Sequence, residues 1–406
     1  NISGTESQCK RRTFLFLQGH PSRFWGDLAD GLRADGHRIL KVHLCTSDLI
    51  FWGRRAGTSY RGRFSKWRGW LADFLQAEGV TDIIYYADRL PYHITAHDVA
   101  DPMGIQCWAI EFGYLRPDWL TLEAGGMGAY SSFPKDPGDI KTLAQGVPAP
   151  DMKVQYRHGF GQEAFNEVSF HLLQAFGRPI YPLYNSDKIY WPAIDYLSWL
   201  PELFKAKRYA REAAALEARV TTGELRYNLV AMQIQADYQI RASSPYGGLE
   251  EFLREVMVSF AAHAPSDRML IIKLHPLDNG LERWFSRIAK LAAEFNLIDR
   301  VLTIKGGILG KFLANSEGVV LVNSTVGLHA LRLGVPTCVM GSAIFDVAGL
   351  CHKGTIEQFW TDPGQVDSAF FDVFERALST IQIKGSFYNA HGREAAVKAI
   401  CSRLLG

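Results

Sequence analysis

Between Tyr227 and Met340, short apolar runs alternate with amphipathic stretches, and this alternation restricts the fold more than any other feature of the chain. Apolar runs bounded by turn residues read as strands, and apolar residues at three- and four-residue spacing read as helices. The expected order is strand Tyr227–Gln235, helix Leu249–His263, strand Met269–Leu274, helix Leu281–Phe295, strand Arg300–Ile304 and a short helix near Leu309. Strand Gly318–Asn323, helix Thr325–Leu333 and strand Pro336–Met340 complete it. Strands separated by helices pair in parallel, because each crossover needs the length of a helix to return to the same edge. A doubly wound α/β domain follows.

The first half repeats the theme less regularly. A strand is expected at Thr13–Gln18, a helix at Ser22–Ala34 ended by Asp35-Gly36, and a strand at Arg38–Leu44. A long insertion precedes a helix around Lys66–Ala77. Further strands are expected at Thr81–Ala87 and Ile105–Ile110, with a helix between them. Beyond Pro134 the pattern loosens, with helical stretches near Glu163–Phe176 and an Ala/Arg/Glu-rich helix, Phe204–Ala218, read as an inter-domain connector. A chain of 406 residues exceeds one simple core. The expected domains are therefore 10–205 and 220–380, with a C-terminal helix in 381–406. The fold class is α/β, two Rossmann-like domains facing a cleft, an arrangement shared by glycosyltransferase-B enzymes and others, so it does not by itself assign a function.

One strand carries polar groups where a parallel strand is normally apolar. In YNLVAMQIQADYQIR (Tyr227–Arg241), alternation puts Gln233, Gln235 and Asp237 on one face and Val230, Met232, Ile234 and Ala236 on the other. Such groups are costly unless they line a cleft, and ligands of open α/β sheets bind at the carboxyl ends of strands. Asp237 is thus the first candidate for chemistry; otherwise it begins the next turn.

Composition excludes several classes. A net charge of +2 argues against a general nucleic-acid binder. Six scattered cysteines without a CxxC pair suit free thiols in a reducing compartment, and a cytoplasmic location is expected. No apolar run is long enough for a spanning helix, and no signal-peptide h-region opens the chain. GxGxxG, GxxxxGK[ST] and GxSxG patterns do not follow the strands where they would act, which disfavours dinucleotide binding, a P-loop and a nucleophile elbow. No DxD-type carboxylate pair is seen, so no metal and no cofactor is expected.

Five segments carry candidate chemistry. In Lys273-Leu274-His275-Pro276, Pro276 turns the chain away from the sheet and leaves His275 at its carboxyl edge, able to donate to a phosphate or protonate a leaving oxygen, or else to serve as a core histidine. Asn323-Ser324-Thr325 joins a strand to a helix, where Ser324 and Thr325 can cap the helix or contact a phosphate. Glu111 to Glu123 (EFGYLRPDWLTLE) reads as a loop after a strand, in which Glu111, Arg116 and Glu123 bind an acceptor or brace the loop by ion pairing. Glu163, after the Gly-flanked run Arg157–Gly161, delivers an acid to a cleft or favours its own helix N-terminus. Phe51–Trp70 holds six Lys/Arg and no acid among its aromatics, as either a peripheral membrane contact or a solvated basic face over an aromatic core.

The segments FLQGHPSRFW (Phe16–Trp25), EFGYLRPDWLTLEAGG (Glu111–Gly126), QIQAD (Gln233–Asp237), KLHP (Lys273–Pro276) and VNSTVGLHAL (Val322–Leu331) run in order along nearly the whole chain. With these, the chain resembles the capsule polysaccharide biosynthesis proteins that include the retaining β-Kdo transferases, related also to enzymes of lipopolysaccharide O-antigen assembly. His20 departs from the pattern, which has proline there, and Met127-Gly128 replaces a more polar pair. The resemblance implies transfer of Kdo, an acidic ketosugar, from CMP-β-Kdo to an oligosaccharide or glycolipid acceptor at the inner face of a bacterial inner membrane. It places CMP on the second domain, at His275, Pro276, Ser324, Thr325, Gln235 and Lys273, and the acceptor side at Glu111, Tyr114, Arg116 and Glu123. Retention implies double displacement, with Asp237 as nucleophile and Glu163 as acid/base or second carboxylate. Arg157, His158, Lys273 and Arg241 are options for the Kdo carboxylate. A different CMP-sugar transferase and a non-catalytic export or assembly factor are the competing readings.

Overall fold

The computed structural model describes residues 11–157, 159–186, 194, 197–234 and 244–406, without the side chains of 129 and 160–164. The chain forms two compact units. One comprises residues 11–132, 150–186 and 379–406, the other residues 133–149 and 194–378.

The first unit is built on a seven-stranded sheet of order β12-β6-β5-β4-β1-β2-β3. The strands are β1 (Thr13–Phe16), β2 (Arg38–His43), β3 (Thr58–Ser59), β4 (Asp82–Tyr86), β5 (Gln106–Phe112), β6 (Trp119–Ala124) and β12 (Gln382–Lys384). β1 to β5 pair in parallel, and β6 runs antiparallel between β5 and β12. Two findings depart from the sequence reading. The segment after Phe112 turns back as β6 rather than continuing as a loop; its Trp-Leu-Thr-Leu-Glu alternation is a strand signal. The C-terminal segment is not a separate appendage. Ile383 pairs with Leu120, and helix Ala390–Leu405 packs on helix Phe24–Ala34 through Ala396, Ile400, Cys401 and Leu404.

The basic stretch has an aromatic core side. Trp52, Tyr60 and Trp67 are buried, and Trp67 stacks on Trp70, so its aromatics belong to the core.

The second unit carries a five-stranded, all-parallel sheet of order β11-β10-β7-β8-β9. Here β7 is Tyr227–Ala231, β8 Met269–Leu274, β9 Val301–Lys305, β10 Val319–Leu321 and β11 Thr337–Val339. Helices Leu249–His263 and Trp284–Glu294 bury Phe252, Val256, Phe260, Ile288 and Leu291 against Val230, Leu270 and Ile272. A helix at Trp199–Thr221, longer than expected, belongs to this unit. Glu202 on it accepts a charge-assisted bond from Lys305 at the end of β9 (2.6 Å), and both side chains are buried. β7 is shorter than expected. Its pairing continues one step, where the Met232 amide donates to the Lys273 carbonyl (2.9 Å), and then Gln233 leaves the ladder.

Candidate functional site

In the second sheet the chain leaves β7 for β8 on one side and later enters β10 on the other. The gap between β7 and β10 is therefore the topological switch point, where an open α/β sheet leaves a crevice at its carboxyl edge. Gln233 and Asn323 meet there. The Gln233 amide donates to Asn323 Oδ1 (2.9 Å), and Gln233 Oε1 accepts from the Asn323 backbone N–H (3.3 Å). This two-way bond satisfies the buried Gln233 and fixes where the loop after β10 begins. Of the polar stripe foreseen after β7, Gln233 thus turns to the neighbouring strand end.

The same loop carries Ser324 and Thr325 into helix Val326–Arg332. Ser324 Oγ accepts from the Val326 N–H (3.2 Å), while the Thr325 hydroxyl makes no capping bond. Gly327 admits no side chain, since a Cβ there would lie 2.3 Å from the Phe345 ring. Close packing therefore holds this turn against the segment after β11.

His275 follows β8. Its Nδ1 accepts from the Leu277 N–H (3.1 Å), so in the neutral ring Nε2 carries the hydrogen. The imidazole is half-buried, and Pro276 is exposed. Lys273 is buried and donates to the Gly306 carbonyl; burial draws its ammonium below the ordinary lysine value, opposed by the Glu217 carboxylate. Gly306 and Gly307 both have left-handed backbone, φ 94° and 74°, which brings that carbonyl round to Lys273. Lys273 thus braces the loop after β9. Gln235, Asp237 and Arg241 lie outside the described residues.

The first unit has its own polar group at the carboxyl edge of β1, β4 and β5. His20 is buried, stacked on Phe387 with ring centroids 4.8 Å apart. Its Nε2 lies 3.0 Å from the Tyr388 hydroxyl and 3.4 Å from Glu167, which is also 3.4 Å from His171. Burial acts to raise the Glu167 carboxyl, but its hydrogen bonds with His171 and His20 outweigh that and hold it well below the usual carboxylate range. His20, Glu167 and Tyr388 were not singled out as site residues; the Glu167/His171 spacing on one helix face is the signal that points to them.

The acceptor-side candidates separate. Glu111 is half-buried at the end of β5. Tyr114 is a brace: its N–H donates to Gln382 Oε1 (2.7 Å), and its hydroxyl accepts from the Gly128 N–H (3.2 Å). Glu123 is buried with no ion pair among the described residues, and burial pushes its carboxyl up to about 7 despite nearby Ser131 and Tyr114. Buried Asp88, bound to Arg89 Nε and the Met127 N–H, adds to that rise. Arg116 is exposed, its Nε bonded to the Gly113 carbonyl (3.2 Å). With Trp119, Tyr156, Arg157 and Phe387 it lines a cavity of about 390 Å³. Glu163 lies on helix Phe160–Phe176, with its side chain outside the description, and His158 is outside it altogether.

The capsule polysaccharide biosynthesis protein family matches residues 81–388. The chain is 30% identical to the capsule polysaccharide export protein KpsS of Escherichia coli, over 93% of this chain and 97% of that protein. It is 29% identical to the capsule polysaccharide modification protein LipB of Neisseria meningitidis serogroup B, over 92% of this chain and 91% of that one. Among solved structures, the β-Kdo 2,7 transferase of Thermosulfurimonas dismutans KpsC aligns with a TM-score of 0.47 and 13% identity, over 97% of this chain and 100% of that one.

Proposed function

Since the chain belongs to the capsule polysaccharide biosynthesis protein family, we propose that it is a retaining glycosyltransferase that moves β-Kdo from CMP-β-Kdo to a surface glycan or glycolipid. The observation that carries this reading is the polar group at the switch point of the second sheet: the Gln233–Asn323 clamp, Ser324 and Thr325 after β10, and the Nε2–H of His275 after β8. β7 lies between β8 and β10, and adjacent strands are about 4.8 Å apart. Donors therefore flank the end of β7 from both sides, about 10 Å apart at the strands, a span suited to a nucleotide's phosphate and the sugar beside it. Asp237 follows Gln233 by four residues in the sequence.

In the proposed reaction the Asp237 carboxylate attacks the anomeric carbon. The bond from that carbon to the phosphate oxygen breaks, and CMP departs with the electron pair, its new charge met by His275 and the Ser324/Thr325 turn. An acceptor hydroxyl then displaces Asp237 and gives its proton to a base, for which Glu163 is the candidate. Two inversions yield net retention. Because the phosphate is met by these protein donors, turnover should survive EDTA; loss on chelation with recovery on adding Mg²⁺ or Mn²⁺ would contradict this part.

The name of the E. coli relative, an export protein, favours a second reading, a factor that binds acidic glycan without cleaving a donor. Incubation with CMP-Kdo and a panel of glycan acceptors separates the two. The transferase reading expects CMP release, a product heavier by one Kdo and a β anomer by NMR. CMP release absent with every CMP-sugar donor would overturn it.

A further inference from the structure

The helix Trp199–Thr221 has two unlike faces. Glu202, Tyr209, Ala213, Leu216 and Val220 recur at helical spacing and are buried. The opposite stripe begins with Leu200, Leu203 and Phe204, which are 52%, 66% and 88% exposed. It continues through Lys207, Arg208 and Arg211, all exposed. Just before the helix, Ile194 and Leu197 are also more than half exposed, at 54% and 63%. The stripe itself carries no acid. Glu212 stands at its flank, 3.4 Å from Arg208, and Lys205 turns inward to Glu202 at 3.1 Å.

A helix face in water is normally polar along its length, and large apolar side chains grouped on an exposed surface mark an interaction site. Here the apolar group occupies the first turns and the cations follow on the same stripe. From Leu200 to Arg211 the stripe covers about 17 Å at about 1.5 Å per residue. A protein partner would have to bury Phe204 while matching three cations. A bilayer surface offers both an apolar interior and a layer of anionic phosphates at successive depths. None of the described helices is long and apolar enough to cross a membrane. The only bilayer mode open to this element is therefore to lie in the interface.

We propose that this stripe docks the chain onto an anionic phospholipid surface. The N-terminal turns dip into the headgroup layer through Leu200, Leu203 and Phe204, and Lys207, Arg208 and Arg211 meet the phosphates. This goes beyond the transferase reading and does not rest on it.

The test is co-sedimentation of the full chain with phosphatidylcholine vesicles and with vesicles that also contain phosphatidylserine or phosphatidylglycerol. Binding should require the anionic lipid, follow its charge rather than its headgroup, and weaken with salt. Two triple variants, Leu200→Ser with Leu203→Ser and Phe204→Ser, and Lys207→Glu with Arg208→Glu and Arg211→Glu, should each bind at least about tenfold more weakly with an unchanged melting temperature. A Phe204→Trp variant should shift its emission to the blue on adding anionic vesicles. Four results would overturn the proposal: no sedimentation with anionic vesicles, equal sedimentation with neutral ones, full binding by either triple variant, or a self-associated chain in which the Phe204→Trp indole is already buried without lipid.

Discussion

Replacing Glu123 by glutamine should make the protein more stable, and more so as pH rises. Glu123 lies on β6 with 3% of its surface exposed, and neither carboxylate oxygen has a hydrogen-bond partner of good geometry among the described residues. Burial holds its proton until pH is about 7, against an ordinary value of 4.5. The folded state therefore binds a proton more tightly than the unfolded chain does. Stability from this group is full below about pH 4.5 and declines as pH rises to about 7, where the folded carboxyl also ionises. That difference corresponds to a penalty of about 3 kcal/mol at pH 8, an upper figure because buried carboxylates relax and admit water. Glutamine keeps the shape and never ionises. Urea unfolding of parent and Glu123→Gln at pH 5, 6, 7 and 8 reads the difference directly, with values on the order of 1–3 kcal/mol in favour of the variant at pH 8 and about a quarter of that at pH 5. Equal stabilities across the range, or a variant weaker at pH 8, would refute the argument and return Glu123 to a solvated, acceptor-facing role.

Two further outcomes are expected around the second sheet. His275→Ala should fold normally, because the ring is half-buried and bonded to its own turn, yet lower turnover by about 10²–10³ if it meets the leaving phosphate; near-parental turnover, or a collapse in melting temperature, would make it structural. Gln233→Ala should leave Asn323 Oδ1 without its donor and loosen the Ser324/Thr325 turn. CMP affinity by calorimetry should fall about tenfold for the loss of about 1–2 kcal/mol, and unchanged affinity would show that the clamp does not shape the nucleotide site.

Much of the second sheet was legible because its signals are local. Helix Leu249–His263 and strand Met269–Leu274 match the sequence reading residue for residue, since apolar spacing and bounding turns mark both. The strand from Tyr227 was read too far because Gln233 and Gln235 keep the alternation going. Its true end is set by Asn323, ninety residues away, which exchanges two hydrogen bonds with the Gln233 side chain. Distance in sequence also hid β12, a three-residue strand whose only cue is its partner β6. The pair Glu202–Lys305 and the contact of His20 with Tyr388 were hidden in the same way. His275 and Ser324/Thr325 were placed at strand ends from Pro276 and from the strand-to-helix switch, and the strands do end beside them. Lys273 entered as a ligand group through the family resemblance, at the CMP site and as a cation for the Kdo carboxylate. Its bond to the Gly306 carbonyl depends on two left-handed glycines that no local pattern ties to it.

The central claim, retaining transfer through a carboxylate on the segment after β7, is tested most directly by intact-mass analysis of the protein incubated with CMP-Kdo and no acceptor. The account predicts CMP release matched by a single Kdo adduct, mapped by peptide digestion to Asp237, absent in Asp237→Asn and discharged when acceptor is added. Full transfer by Asp237→Asn, or an adduct found only on another carboxylate such as Glu163, would contradict it.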